Sequence, residues 1–99
     1  MTRLEIGHEA EREFEDDARE YELQRPGRGG RFTEAVNDAL ELIARLPRSG
    51  VPYKLGYRKR VVLGFPYAIF YREYDDFAWV AAIYHGHRKP DGWMNRRRD

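Results

Sequence analysis

The 99-residue chain has no cysteine, and its one serine is Ser49. Without thiols there is no disulfide framework, no thiolate metal site and no cysteine nucleophile. A Ser-His-Asp arrangement is nearly excluded as well, because Ser49 stands in a loop beside Gly50. Long apolar runs are also missing. Residues 1–12 carry none that would suit a signal peptide, and no stretch approaches the roughly 20 apolar residues that cross a bilayer. The cytoplasm is therefore the expected compartment, with no membrane partner. Internal repeats and low-complexity segments are absent. No glycine-rich phosphate loop follows a strand and opens a helix, since Arg28-Gly29-Gly30 reads as a connection between helices. A metal site has only His85 and His87 to start from, two apart on one strand face, and spacing fixes no third ligand. No cofactor is expected.

What the chain does contain is 41% hydrophobic and 35% charged residues, a globular composition of a size for a single domain over 1–99. The net charge of +1 conceals a division. Residues 1–50 hold 8 Lys/Arg against 12 Asp/Glu, whereas residues 51–99 hold 10 against 5. A basic C-terminal half suits an anionic partner, either nucleic acid or an acidic polypeptide. The bland alternative for Arg96, Arg97 and Arg98 is a frayed, solvated tail.

Hydrophobic spacing orders the elements. Leu4 and Ile6 alternate in a short strand. Ala10, Phe14, Ala18 and Tyr21 then share one helical face, and Glu9, Glu11 and Glu13 lie in the first turns, where the helix dipole favours anions. Residues 25–30 break that helix. A second is predicted from about Arg31 to Leu46 on the stripe Phe32, Ala35, Val36, Ala39, Leu40, Ile43 and Leu46, ended by Pro47. Residues 58–63, 67–74 and 77–85 read as strands, with Asp75-Asp76 turning the last pair antiparallel. The order is β-α-α-β-β-β. It predicts an α+β two-layer fold, a four-stranded antiparallel sheet with a helical hairpin on one face and the other face open. Strict alternation places Tyr67, Ile69, Tyr71, Trp79, Ala81 and Ile83 toward the helices, with His85 on the same side of the last strand.

The polar set near the open sheet is Arg58, Lys59, Arg60, Arg72, Arg88 and Lys89, with His85 and His87 alongside. Such cations stabilise a phosphorane in RNA cleavage when a histidine serves as acid or base. They equally dock a phosphate backbone or an acidic partner without chemistry. A solvated sheet edge is the third reading.

The stretches "YELQRPGRGGRF" (21–32), "IARLP" (43–47), "RVVLGFPYAIFYR" (60–72) and "IYHGHRKPDGW" (83–93), taken with the element order, carry a resemblance over nearly the whole chain. The chain resembles the RelE/ParE superfamily of type II toxin–antitoxin toxins, and more closely its ParE-like plasmid stabilisation branch. The resemblance implies a growth-inhibiting toxin held in a hetero-oligomer by a cognate antitoxin. It leaves two targets, DNA gyrase in the ParE-like branch and ribosome-bound mRNA in the RelE-like endonucleases. A decayed relative that only binds antitoxin is a third expectation. Motif matching puts Arg88 on the arginine after the last strand of the ribonuclease branch, Trp93 near its terminal tyrosine, and Arg58 and Arg60 near its strand lysines. With His87 as acid or base, these five are the candidate catalytic set. Ala68 follows Tyr67 where that branch has an arginine, a departure that favours the gyrase reading.

Overall fold

The computed structural model describes residues 1–98. Its elements run β1 (Arg3–Ile6), α1 (His8–Gln24), α2 (Arg28–Arg45), β2 (Val51–Pro52), β3 (Arg58–Val62), β4 (Tyr67–Glu73) and β5 (Phe77–His85), with a 3-10 turn at Lys54–Gly56. The α+β class and the helical hairpin match the expectation. The sheet differs from it, having five strands in the order β1-β5-β4-β3-β2. It is also mixed rather than antiparallel, because β1 pairs parallel to β5, from Arg3 opposite Phe77 to Ile6 opposite Val80. The helical hairpin supplies the crossover that a parallel pair requires. No described helix is long and apolar enough to cross a membrane.

The second helix begins at Arg28, earlier than hydrophobic spacing suggests. Two glycines disfavour a helix start by propensity, and two contacts overrule them. The Glu22 carboxylate accepts from Gly27 N–H at 3.0 Å and Gly29 N–H at 3.1 Å, satisfying donors that a helix N-terminus leaves orphaned. Gly27 takes the left-handed φ of 90° that turns the chain, and a Cβ on Gly29 would stand 2.6 Å from the Ala18 carbonyl oxygen. Glycine at 29 is what allows the two helices to approach.

The hairpin covers one sheet face. Ala10, Phe32, Val36, Ala39 and Ile43 pack there on Val62, Tyr67, Ile69, Tyr71, Ala78, Val80 and Ile83. Trp79 and Ala81 lie on the opposite face, contrary to strict alternation. The cause is a β-bulge. Phe70 is opposite Ala82 and Tyr71 is opposite Val80, so Ala81 has no partner on β4 and face assignment reverses across it. His85 and Ile83 lie beyond the bulge and keep the expected side, where the His85 ring meets Tyr67 edge-on at 5.0 Å.

The second face is not left open. Residues after β5 fold back across it and bury Trp93 completely, stacked on Phe70 at 4.4 Å and edge-on to Tyr57 at 4.8 Å. Tyr57, Ala68, Phe70, Phe77, Trp79, Ala81 and Ala82 complete this second core. Replacing Trp93 with Ala is expected to lower stability by about 3–5 kcal/mol, the usual range for deleting a buried aromatic. Urea unfolding measures it; a loss within experimental error would mean that the second core is not part of the cooperative fold.

Candidate functional site

Five candidate residues came from the sequence, and the fold separates them. Arg58 and Arg60 sit opposite Tyr71 and Ile69, on the face toward the helices. There they hold the loop after α2. Arg58 Nη1 donates to the carbonyls of Arg48 (3.2 Å) and Gly50 (2.9 Å), and Arg60 Nη2 donates to Ser49 Oγ at 2.8 Å. Tyr71 Oη completes the anchoring, donating to Pro47 O and accepting from Gly50 N–H. Trp93 lies within the core of the other face, with its indole N–H buried and lacking an acceptor.

Arg88 is engaged by α1. Its guanidinium donates to Glu13 at 2.9 Å and to Asp17 at 3.3 Å. Glu13 is buried and shared, because Arg96 donates to both of its oxygens at 2.9 and 2.5 Å. Arg96 also donates to the Ala81 carbonyl at 3.0 Å. That carbonyl lies past the last β1–β5 pair, at Val80, so Arg96 reaches it where β5 has no strand on that side. Asp17 accepts from Tyr67 Oη at 2.8 Å, and burial together with that bond holds the tyrosine protonated well above its ordinary range. Arg98 pairs with Glu5 at 2.9 Å and lies 4.4 Å from the Phe77 ring. Arg96 and Arg98 are thus tied to the acidic first helix and strand instead of belonging to a solvated tail, while Arg97 is exposed.

His87, like Arg88, is exposed. Its backbone N–H donates to His85 Nδ1 at 2.9 Å. His85, His87 and Arg88 edge a cleft of about 440 Å³ floored by Ala68, Phe70 and Trp93, with Lys59 and Val61 on its far side. The structure therefore brings His87, Arg88 and Trp93 to one cleft and leaves Arg58 and Arg60 outside it. Two participants were not singled out as site residues from sequence. Glu13 and Asp17 are one helical turn apart and flank the apolar stripe, a spacing that could have marked them as a paired carboxylate face. Lys59 alternates onto the cleft face between two arginines that do not.

The cleft belongs to a recognisable protein. The family description "ParE toxin of type II toxin-antitoxin system, parDE" matches residues 4–90. The chain belongs to the ParE toxin family. A solved structure of a "Chromosomal ParDE TA system from P. aeruginosa" superposes on this ParE-family chain with a TM-score of 0.77 at 13% identity. The match covers 86% of this chain and 96% of that one, and it establishes likeness of fold. No curated protein sequence matches.

On the cleft's outer wall, Asp91 accepts from Tyr53 Oη at 2.7 Å and from Lys54 Nζ at 2.6 Å, joining the β2–β3 hairpin to the C-terminal turn. Lys54 first and then Tyr53 hold the Asp91 carboxyl below its usual range, while Asp91 raises both partners. A carboxyl depressed in the folded state contributes stability above its unfolded pKa and loses it as pH falls through the folded one. Asp91→Asn is therefore expected to be less stable than the parent by a constant margin from about pH 5 to pH 8, and the margin should shrink below about pH 4. Thermal unfolding across pH measures it; a margin that persists at acid pH would mean the carboxylate charge is irrelevant to the clasp.

Proposed function

We propose that this ParE-family chain is a growth-inhibiting toxin, neutralised in the cytoplasm by a cognate antitoxin with which it forms a hetero-oligomer. Its target is DNA gyrase, which it inhibits by binding rather than by cutting RNA. One observation carries the choice of target: the cations that RNA cleavage would require do not converge. Arg58 and Arg60 donate to main-chain carbonyls on the helix side of the sheet, Arg88 is paired with two carboxylates, and Trp93 is enclosed. Such catalysis draws most of its rate enhancement from preorganised donors and charges aimed at the reacting atoms from about hydrogen-bonding distance.

A cleft that gathers His85, His87, Arg88 and Lys59 is the feature that favours the second reading, an mRNA endonuclease acting on the ribosome. The two readings separate on induced expression. Gyrase inhibition should arrest growth with loss of plasmid supercoiling while transcripts stay intact, and cleaved transcripts with normal supercoiling would reverse the order. Absence of arrest at a verified protein level would leave a relative that only binds antitoxin.

The histidines give a sharper test. His85→Gln and His87→Gln should each arrest growth as the parent does. Removing a general base would instead cost roughly 10²–10⁴-fold in the chemical step. Loss of arrest in a folded His87→Gln protein would favour the endonuclease.

A further inference from the structure

The turn between β2 and β3 holds a backbone conformation that its sequence does not favour. Tyr57 N–H donates to Lys54 O at 3.1 Å, closing a four-residue turn around Leu55 and Gly56. Both central residues have positive φ, 56° at Leu55 and 79° at Gly56, which is the pattern of a type I′ turn. Such a turn ordinarily takes Asn-Gly or Asp-Gly, because a short polar side chain tolerates the left-handed region. A leucine there is strained, since its Cβ crowds the following carbonyl oxygen. The other described non-glycine residue with positive φ is Asp91, which is of the tolerant kind.

Several contacts brace this tip. Arg72 donates through Nη2 to the Leu55 carbonyl, and its guanidinium lies 4.2 Å from the centre of the Tyr57 ring. The Asp91 carboxylate fixes Lys54 at 2.6 Å and Tyr53 at 2.7 Å. Tyr53 N–H donates to Tyr57 O at 2.8 Å across the base of the turn. Contacts from β4 and from the C-terminal turn therefore over-determine the tip, the condition under which a strained residue persists.

Within the chain, the leucine side chain offsets none of that strain. Leu55 is 71% exposed, belongs to neither hydrophobic core and does not line the cleft. Apolar groups stabilise in proportion to the area removed from water, and little is removed here. Asparagine would form the turn more readily, so ease of folding does not account for the leucine. What leucine adds is an apolar side chain on a rigid tip, which enters a partner's pocket with little ordering cost. The charge beside it is positive. Asp91 cancels Lys54, whereas Arg72, with its Nε 3.8 Å from a Cβ position on Gly56, has no carboxylate partner among the described residues.

We propose that Leu55 is an anchor through which the toxin engages its protein target, filling an apolar pocket bordered by carboxylates that face Arg72. This rests on the reading above that the chain acts by binding gyrase, and the test separates the two. The probe is purified DNA gyrase holoenzyme, used in supercoiling and binding assays with the full-length toxin. Inhibition and affinity are compared for the parent, Leu55→Asn and Leu55→Met, and urea unfolding is followed for each. Asparagine suits the left-handed turn but removes the apolar side chain. Methionine keeps an unbranched apolar side chain on the same backbone.

The expected result is a Leu55→Asn protein at least as resistant to urea as the parent, yet about tenfold or more weaker in affinity, equivalent to about 1.4 kcal/mol. Leu55→Met should bind and inhibit much as the parent does. Parent affinity should fall as salt rises, because the charged border is screened. Inhibition by Leu55→Asn equal to that of the parent overturns the anchor and leaves the gyrase reading standing. Equal loss in both variants, or a loss that accompanies weaker resistance to urea, overturns it too, since shape or stability would then be the cause. Affinity unaffected by salt overturns the carboxylate border. A parent protein that leaves gyrase uninhibited overturns both readings.

Discussion

A sheet has two faces, and two helices cover one of them; enclosing the Trp93 indole is how this chain closes the other. The stack of Trp93 on Phe70 and its edge contact with Tyr57 build a second core that draws the residues after β5 back over the sheet. Much else follows from where that ring is placed. With Trp93 seated, Asp91 falls within reach of Tyr53 and Lys54, and Arg96 can pass the end of β1 to meet Glu13 and the Ala81 carbonyl. The bulge at Ala81 is part of the same arrangement. It turns Trp79 onto the second face, and the carbonyl of the bulged residue accepts from Arg96.

This closure also redistributes the charge. Burying one carboxylate between two guanidiniums is costly unless its oxygens are fully hydrogen-bonded, and Glu13 meets that condition by accepting from both Arg88 and Arg96. Pairing the C-terminal arginines with the N-terminal acids cancels most of the asymmetry between the halves inside the molecule. Within the C-terminal half, the positive charge left without a carboxylate partner among the described residues is spread over Arg58, Lys59 and Arg60 on β3, Arg72 on β4, and Lys89 and Arg97 beyond β5. The cleft on the second face is bordered by His85, His87, an arginine already paired with carboxylates, and Lys59.

The sequence alone determined the two helices, four of the five strands and their order, but not the two-residue β2. Period-3.6 stripes such as Ala10-Phe14-Ala18-Tyr21, and alternating runs such as residues 67–73, reflect local geometry, so helices, strands and the β4–β5 turn were legible, as was the family from its motifs. The composition of the candidate site was legible in the same way, down to His87, Arg88 and Trp93 at one end of the chain. Tertiary structure decided what those residues do. Alternation cannot register a bulge, since one extra residue reverses every face beyond it and no local signal marks Ala81. It cannot pair β1 with β5, whose partners are more than 70 positions apart, as with Arg3 and Phe77. Nor can it tell a free guanidinium from a bound one: Arg88 and Arg58 look alike in sequence, and only packing gives one the carboxylates of α1 and the other the carbonyls of a loop. Side-chain type and spacing are local properties, whereas burial and charge compensation depend on which distant groups the folded chain brings within a few ångströms.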